Sequence, residues 1–97
     1  MDEITHLTLL KPPEFLFKSV LHRSIERTYR QGFKRKLGLF VDVYDTEEES
    51  RKKFGSVLTY TFVVMAGLMI EDGYQFCRAE TGEWLVEEIP AKYLRFN

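Results

Sequence analysis

Six basic residues are the part of this chain best suited to chemistry with a partner: Arg23, Arg27, Arg30, Lys34, Arg35 and Lys36. The first three are spaced i, i+4, i+7, so a helix would bring them onto one face, and the next three continue the line. Such a stripe can neutralise the phosphates of DNA or RNA, with an affinity that falls as salt rises. It can equally dock on an acidic protein surface. Plainer causes compete with both. Cations are favoured at the C-terminal end of a helix by its dipole, and Glu26 can pair with Arg23 or Arg30 on the same face. A pI near 6.1 also lies below that of a dedicated nucleic-acid binder.

The other reactive residue types form no constellation. His6 and His22 fall on separate elements, and no further ligand stands near either at zinc spacing. Cys77 is the one cysteine, which excludes an internal disulfide. Between Phe76 and Arg78 in an alternating stretch, it reads as a small core hydrophobe without a base to activate it. The acidic group Asp42, Asp45, Glu47, Glu48 and Glu49 lacks the alternating ligands and mid-loop glycine of a calcium loop. Helix capping accounts for it. The expectation is therefore no catalytic residue, no metal and no cofactor: a protein that is not an enzyme.

Ninety-seven residues, 44% apolar and 30% charged, suit a single domain spanning 1–97. Fourteen aromatic residues are more than so short a chain needs to fill a core, which leaves some for a partner. The net charge of −1 is unevenly spread. Residues 1–40 carry eight basic and four acidic side chains, and residues 41–97 carry six and eleven. Opposed halves favour self-association, or a polyanion held on one face. The N-terminus has neither the basic start nor the apolar run of a secretory signal, so a cytoplasmic location is expected.

These residues need elements to hold them. Residues 4–10 alternate weakly and suggest a strand stopped by Pro12-Pro13. Phe17, Leu21, Ile25 and Tyr29 then recur every four, which predicts a helix from Pro13 to a C-cap at Gly32. Residues 37–44 alternate as a strand, and Thr46 with Glu49 forms a capping box that starts a second helix. Residues 54–70 carry no charge. They must be core, an interface between copies or a membrane span, and the soluble-looking elements around them argue against the membrane. A helix through Ile70 and a strand over 56–65 are both compatible with that composition; its length favours the helix. Residues 74–80 and 83–89 read as a hairpin turning at Thr81-Gly82.

The fold expected is α+β, a small two-layer domain with two helices on a mixed or antiparallel sheet of three to four strands. The function expected is that of a small non-enzymatic regulatory or adaptor protein acting through protein–protein contacts as a homodimer. Its contacts would come from the six basic residues together with Trp84, Tyr93 and Phe96, since Trp and Tyr dominate binding hot spots. The partners are a second copy and another protein. The alternative is a nucleic-acid binder that uses the basic face of the first helix and the loop after it.

Overall fold

Strand pairing, more than helix packing, organises the part of the chain that the computed structural model describes, residues 8–97. Strands β2 (Leu16–Leu21), β4 (Thr59–Val64) and β7 (Leu94–Phe96) form one antiparallel sheet in the order β2-β4-β7. Strands β1 (Thr8–Leu9), β3 (Val41–Val43), β5 (Cys77–Arg78) and β6 (Trp84–Val86) form a second, in the order β1-β5-β6-β3. Helices α1 (Ile25–Gln31), α2 (Glu47–Arg51) and α3 (Ala66–Glu71) are each two turns or less. The α+β class is as the sequence implies. The sheets are antiparallel throughout and two in number, of four and three strands among the described residues, with three short α-helices in place of the two expected.

The core lies between the sheets. Leu16, Val20, Phe62, Val64 and Leu94 from one meet Val41, Val43, Trp84 and Val86 from the other, with Ala66 and Met69 of α3 closing one end. The opposite face of β2-β4 is covered by α2 through hydroxyl groups. Ser19 Oγ lies 2.6 Å from Ser50 Oγ and 2.7 Å from Thr61 Oγ1, and Ser50 donates to the carbonyl of Glu47. Three buried hydroxyls thus satisfy one another where an unpaired one would be costly.

Two helix predictions are corrected. The stretch from Pro13 to Gly32 divides into β2, a 3-10 turn at His22–Ser24 and α1. Its four-residue apolar spacing is real, but Leu16, Lys18 and Val20 also alternate, and pairing with β4 along six residues wins. The uncharged stretch divides as well. The chain leaves α2 through a 3-10 turn at Lys52–Phe54, enters β4, and continues as α3. β-Branched Thr59, Thr61, Val63 and Val64 favour the pleated sheet, where their stiff side chains pack between neighbours. No helix among the described residues is long and apolar enough to cross a membrane.

Other elements stand closer to expectation. Thr46 Oγ1 accepts from the Glu49 amide at 3.1 Å, so the capping box does open α2. Thr81-Gly82 turns the β5–β6 hairpin, and strand β3 occupies three of the residues 37–44. Of the expected strand over 4–10, only Thr8–Leu9 falls in β1; residues 4–7 lie outside the described ones.

Gly32 ends α1 as expected, and the structure adds a second reason for glycine. Its φ is +72°, and a Cβ there would sit 2.3 Å from the carbonyl oxygen of Ile89 and 2.7 Å from the amide of Ala91. Those atoms are backbone and cannot step aside. The close approach lets Phe33 and Ile89 exchange two hydrogen bonds of 2.8 Å, which fixes where the chain after α1 runs. Gly32→Ala is expected to lower stability by roughly 2–4 kcal/mol, read as the shift in a urea unfolding curve. Gly38→Ala, with nothing within 4 Å, should cost about 1 kcal/mol from backbone strain alone.

Candidate functional site

β2 and β3 belong to different sheets, yet Phe17 and Tyr44 join them by two backbone hydrogen bonds of 2.8 and 3.0 Å. That bridge brings Lys18 beside Asp42. Lys18 occupies an inward strand position between Leu16 and Val20 and is only 7% exposed. Its Nζ donates to Asp42 Oδ1 at 2.7 Å. Lys53, at the end of the turn after α2, donates to Oδ2 at 3.2 Å, and the Tyr44 hydroxyl donates to the same oxygen.

Each group perturbs the others. Burial pulls the Lys18 ammonium below the usual lysine range, and the Asp42 charge and hydrogen bond work against that. Burial alone would raise Asp42, but the ammonium of Lys18 and the hydrogen bonds from Lys18 and Tyr44 outweigh it, leaving the carboxyl well below the usual range. Burial and the bond to Asp42 push the Tyr44 phenol upward.

Lys18, Asp42 and Lys53 of this cluster line a cleft of about 690 Å³, with the buried Lys18 at its floor, a volume within the range of small-ligand sites. Its charged lining is one-sided: Lys18, Arg27, Lys34, Lys36 and Lys53 against Asp42 alone. Arg27, Lys34 and Lys36 form no ion pair among the described residues. Three aromatic rings also line it, and each carries a cation. Lys18 lies 5.5 Å from the centre of Phe33, Arg35 lies 4.6 Å from that of Phe40, and Lys53 lies 5.5 Å from that of Phe54. Cations interleaved with aromatic faces suit a ligand that is anionic and partly planar.

The residues singled out from sequence are scattered relative to this cleft. Arg27, Lys34 and Lys36 line it; Arg35 does not, and instead donates to the Gly38 carbonyl and covers the ring of Phe40. Arg23 lies in the turn before α1 and Arg30 in its last turn; both are exposed and neither lines the cleft. Trp84 and Tyr93 are each 3% exposed. Trp84 donates to Asp45, whose other oxygen takes Arg78, and Arg78 covers the indole ring. Tyr93 donates to Asp72, which helps push its phenol up to about 12. Phe96 is 54% exposed and packs on Tyr29. Cys77 is buried, as its alternation implies, and its thiol is raised by that burial. No group of three or more His, Cys, Asp or Glu among the described residues is arranged to hold a metal ion.

Basic spacing therefore finds Arg27, Lys34 and Lys36 but not Lys18, Asp42 or Lys53. A signal was present. Lysine in step with Leu16 and Val20 is a charge on the apolar side of a strand, where alternation asks for a partner.

Two curated proteins are similar to this chain along nearly its whole length. A probable RNA 2′-phosphotransferase of Flavobacterium johnsoniae is 28% identical over 94 residues, 95% of this chain and 51% of that protein. A probable RNA 2′-phosphotransferase of Burkholderia pseudomallei is 29% identical over 97 residues, 99% of this chain and 53% of that protein. The chain spans about half the length of these relatives. No family model matches it. These two names overturn the expectation of a non-enzymatic regulatory or adaptor protein acting through protein–protein contacts as a homodimer. Both denote an enzyme, and both direct it at RNA. The physical reason for the error is that the charged groups of the cleft come from four separate stretches of the chain, so no short motif announces them.

The electrostatics carry a pH signature. Asp42 titrates near 4 in an unfolded chain and lower in the folded one, so its stabilising pairing is complete above about pH 4 and is lost as pH falls through the folded value. Asp42→Asn is expected to cost roughly 1–3 kcal/mol near neutrality, a range held down by the 28% exposure of the carboxylate side chain. The variant should also lose less stability than the parent between about pH 5 and pH 2, measured by urea unfolding at each pH.

Proposed function

We propose that the cleft binds RNA through a phosphate group and serves RNA phosphotransfer, in the manner the names of the two relatives describe. The observation that carries this reading is the lining of the cleft, five cations against one carboxylate with three aromatic rings among them. A phosphate brings two or more oxygens and up to two negative charges, which such a lining can neutralise. Phosphoryl transfer in turn depends mostly on positioning and on stabilising charge that spreads over the phosphate oxygens.

The residues divide by depth. Arg27, Lys34 and Lys36 stand exposed around the cleft and would hold backbone phosphates, which position a strand without reading its sequence. Phe33, Phe40 and Phe54 offer ring faces to unstacked bases. Arg35 supports Phe40, and Arg23 and Arg30, outside the cleft, add to the attraction at longer range. Lys18 holds the deepest position, next to the carboxylate of Asp42, and Lys53 reaches the same carboxylate from an exposed position. Phe96 and Tyr29 make an aromatic pair outside the cleft, a second surface for a base.

Fluorescence anisotropy with a short single-stranded RNA, with and without a 2′-phosphate, tests the reading. The phosphorylated RNA should bind at least tenfold more tightly. Affinity should fall as salt rises, and the combined replacement of Arg27, Lys34 and Lys36 by Ala should flatten that dependence by about two to three ions. Equal affinity for the two RNAs, or no binding at low salt, would overturn it.

A further inference from the structure

We propose that Lys18 and Lys53, converging on the two oxygens of Asp42 at the cleft floor, form a seat for a phosphate monoester, with Asp42 as its positioning residue. The seat rests on the reading of the cleft as a phosphate site but is narrower. It names the group that is bound and separates it from the phosphodiesters of an RNA backbone.

The geometry is specific to this purpose in three respects. An ammonium group has three N–H donors, and Lys18 uses one on Asp42, its only hydrogen-bond partner among the described residues. Lys53 likewise spends one on the other oxygen of the carboxylate. Donors from both therefore remain for a ligand that enters between them. Secondly, Asp42 accepts from Lys18, Lys53 and Tyr44 at once, so its charge is already shared among three donors and two cations remain against one anion. Thirdly, Lys18 is 7% exposed, backed by Phe33 and set between core residues. A cation held so deep favours a compact, doubly charged ligand over a diester carrying one charge within a bulky backbone.

Asp42 acts through Lys18. Without the carboxylate, the buried amine would face the aromatic ring of Phe33, the phenol of Tyr44 on β3 and the cations Lys53, Arg27, Lys34 and Lys36, all of which favour its losing a proton or leave it unaided. The effect of removing Asp42 must then grow with pH. A role confined to holding the fold together would weaken binding equally at every pH at which the variant stays folded.

Calorimetric titration of the full chain supplies the test. The ligands are inorganic phosphate, a short RNA with a 2′-phosphate, and the same RNA without it, each at about pH 7.5 and about pH 9.5, where a phosphate monoester is a dianion throughout. Lys18→Met should weaken the two monoester ligands at least tenfold and change the unphosphorylated RNA by less than twofold. Asp42→Asn should weaken monoester binding modestly at the lower pH and at least tenfold more at the higher. Lys53→Ala, at an exposed position, keeps the test available should Lys18→Met fail to fold; a threefold to tenfold loss for monoesters is expected. Unchanged monoester affinity in the Lys53 variant, or in a folded Lys18 variant, overturns the seat, as does an Asp42 effect that is the same at both pH values. Binding of inorganic phosphate without binding of RNA upholds the seat and overturns the RNA reading. Phosphorylated RNA that binds equally well to a folded Lys18→Met overturns the seat and leaves the RNA reading in place.

Discussion

A lysine placed where a strand should bury an apolar side chain constrains much of this structure. Lys18 lies between Leu16 and Val20 on the core-facing side of β2, opposite Phe62 of β4. Taking its charge out of water is tolerable only with a carboxylate at hand, and Asp42 supplies one at 2.7 Å from the neighbouring sheet. The Phe17–Tyr44 bridge holds the two sheets at the separation this needs. A pair of well-packed apolar residues would serve stability as well or better. The ion pair instead leaves a charged floor beneath a cleft, along which Arg27, Lys34 and Lys36 also stand.

The remaining elements can be understood by what they deliver to that floor. The capping box starts α2 early enough for the turn after it to bring Lys53 to Asp42. The hydroxyls of Ser19, Ser50 and Thr61 fasten α2 to the sheet behind. Gly32 allows the chain after α1 to approach residues 89–91 and to set Phe33 under Lys18. The turn at residues 36–39 takes Leu37 and Gly38 through positive φ and carries Lys34 and Lys36 along the side of the cleft.

How much of this the sequence discloses depends on the range of the interaction. Local chemistry is legible: Thr46 with Glu49, Gly32 at a helix end and Thr81-Gly82 at a hairpin are read correctly because the partners lie within a few residues. The α+β class follows from the same cues. Residues 16–21 and 59–64 are misread, because each stretch fits two periodicities and the choice belongs to a pairing partner some forty residues away. The cleft shares this property. Its basic rim shows as a run of arginines and lysines, while its floor joins residues 18, 42 and 53 and exists only after the sheets have met. Trp84 and Tyr93, prominent by type, turn out to be fastened inside by Asp45 and Asp72.

Two relatives are named for RNA 2′-phosphotransfer, and the cleft of this chain is lined by five cations; both support the proposed phosphate site without resting on each other. The most direct test of that proposal is a crystal structure of the chain with a short RNA carrying a 2′-phosphate. The monoester oxygens should lie about 3 Å from the ammonium groups of Lys18 and Lys53, with Asp42 still bonded to Lys18. A phosphate found on the outer arginines, Arg23 and Arg30, with the cleft floor unoccupied, would contradict the account.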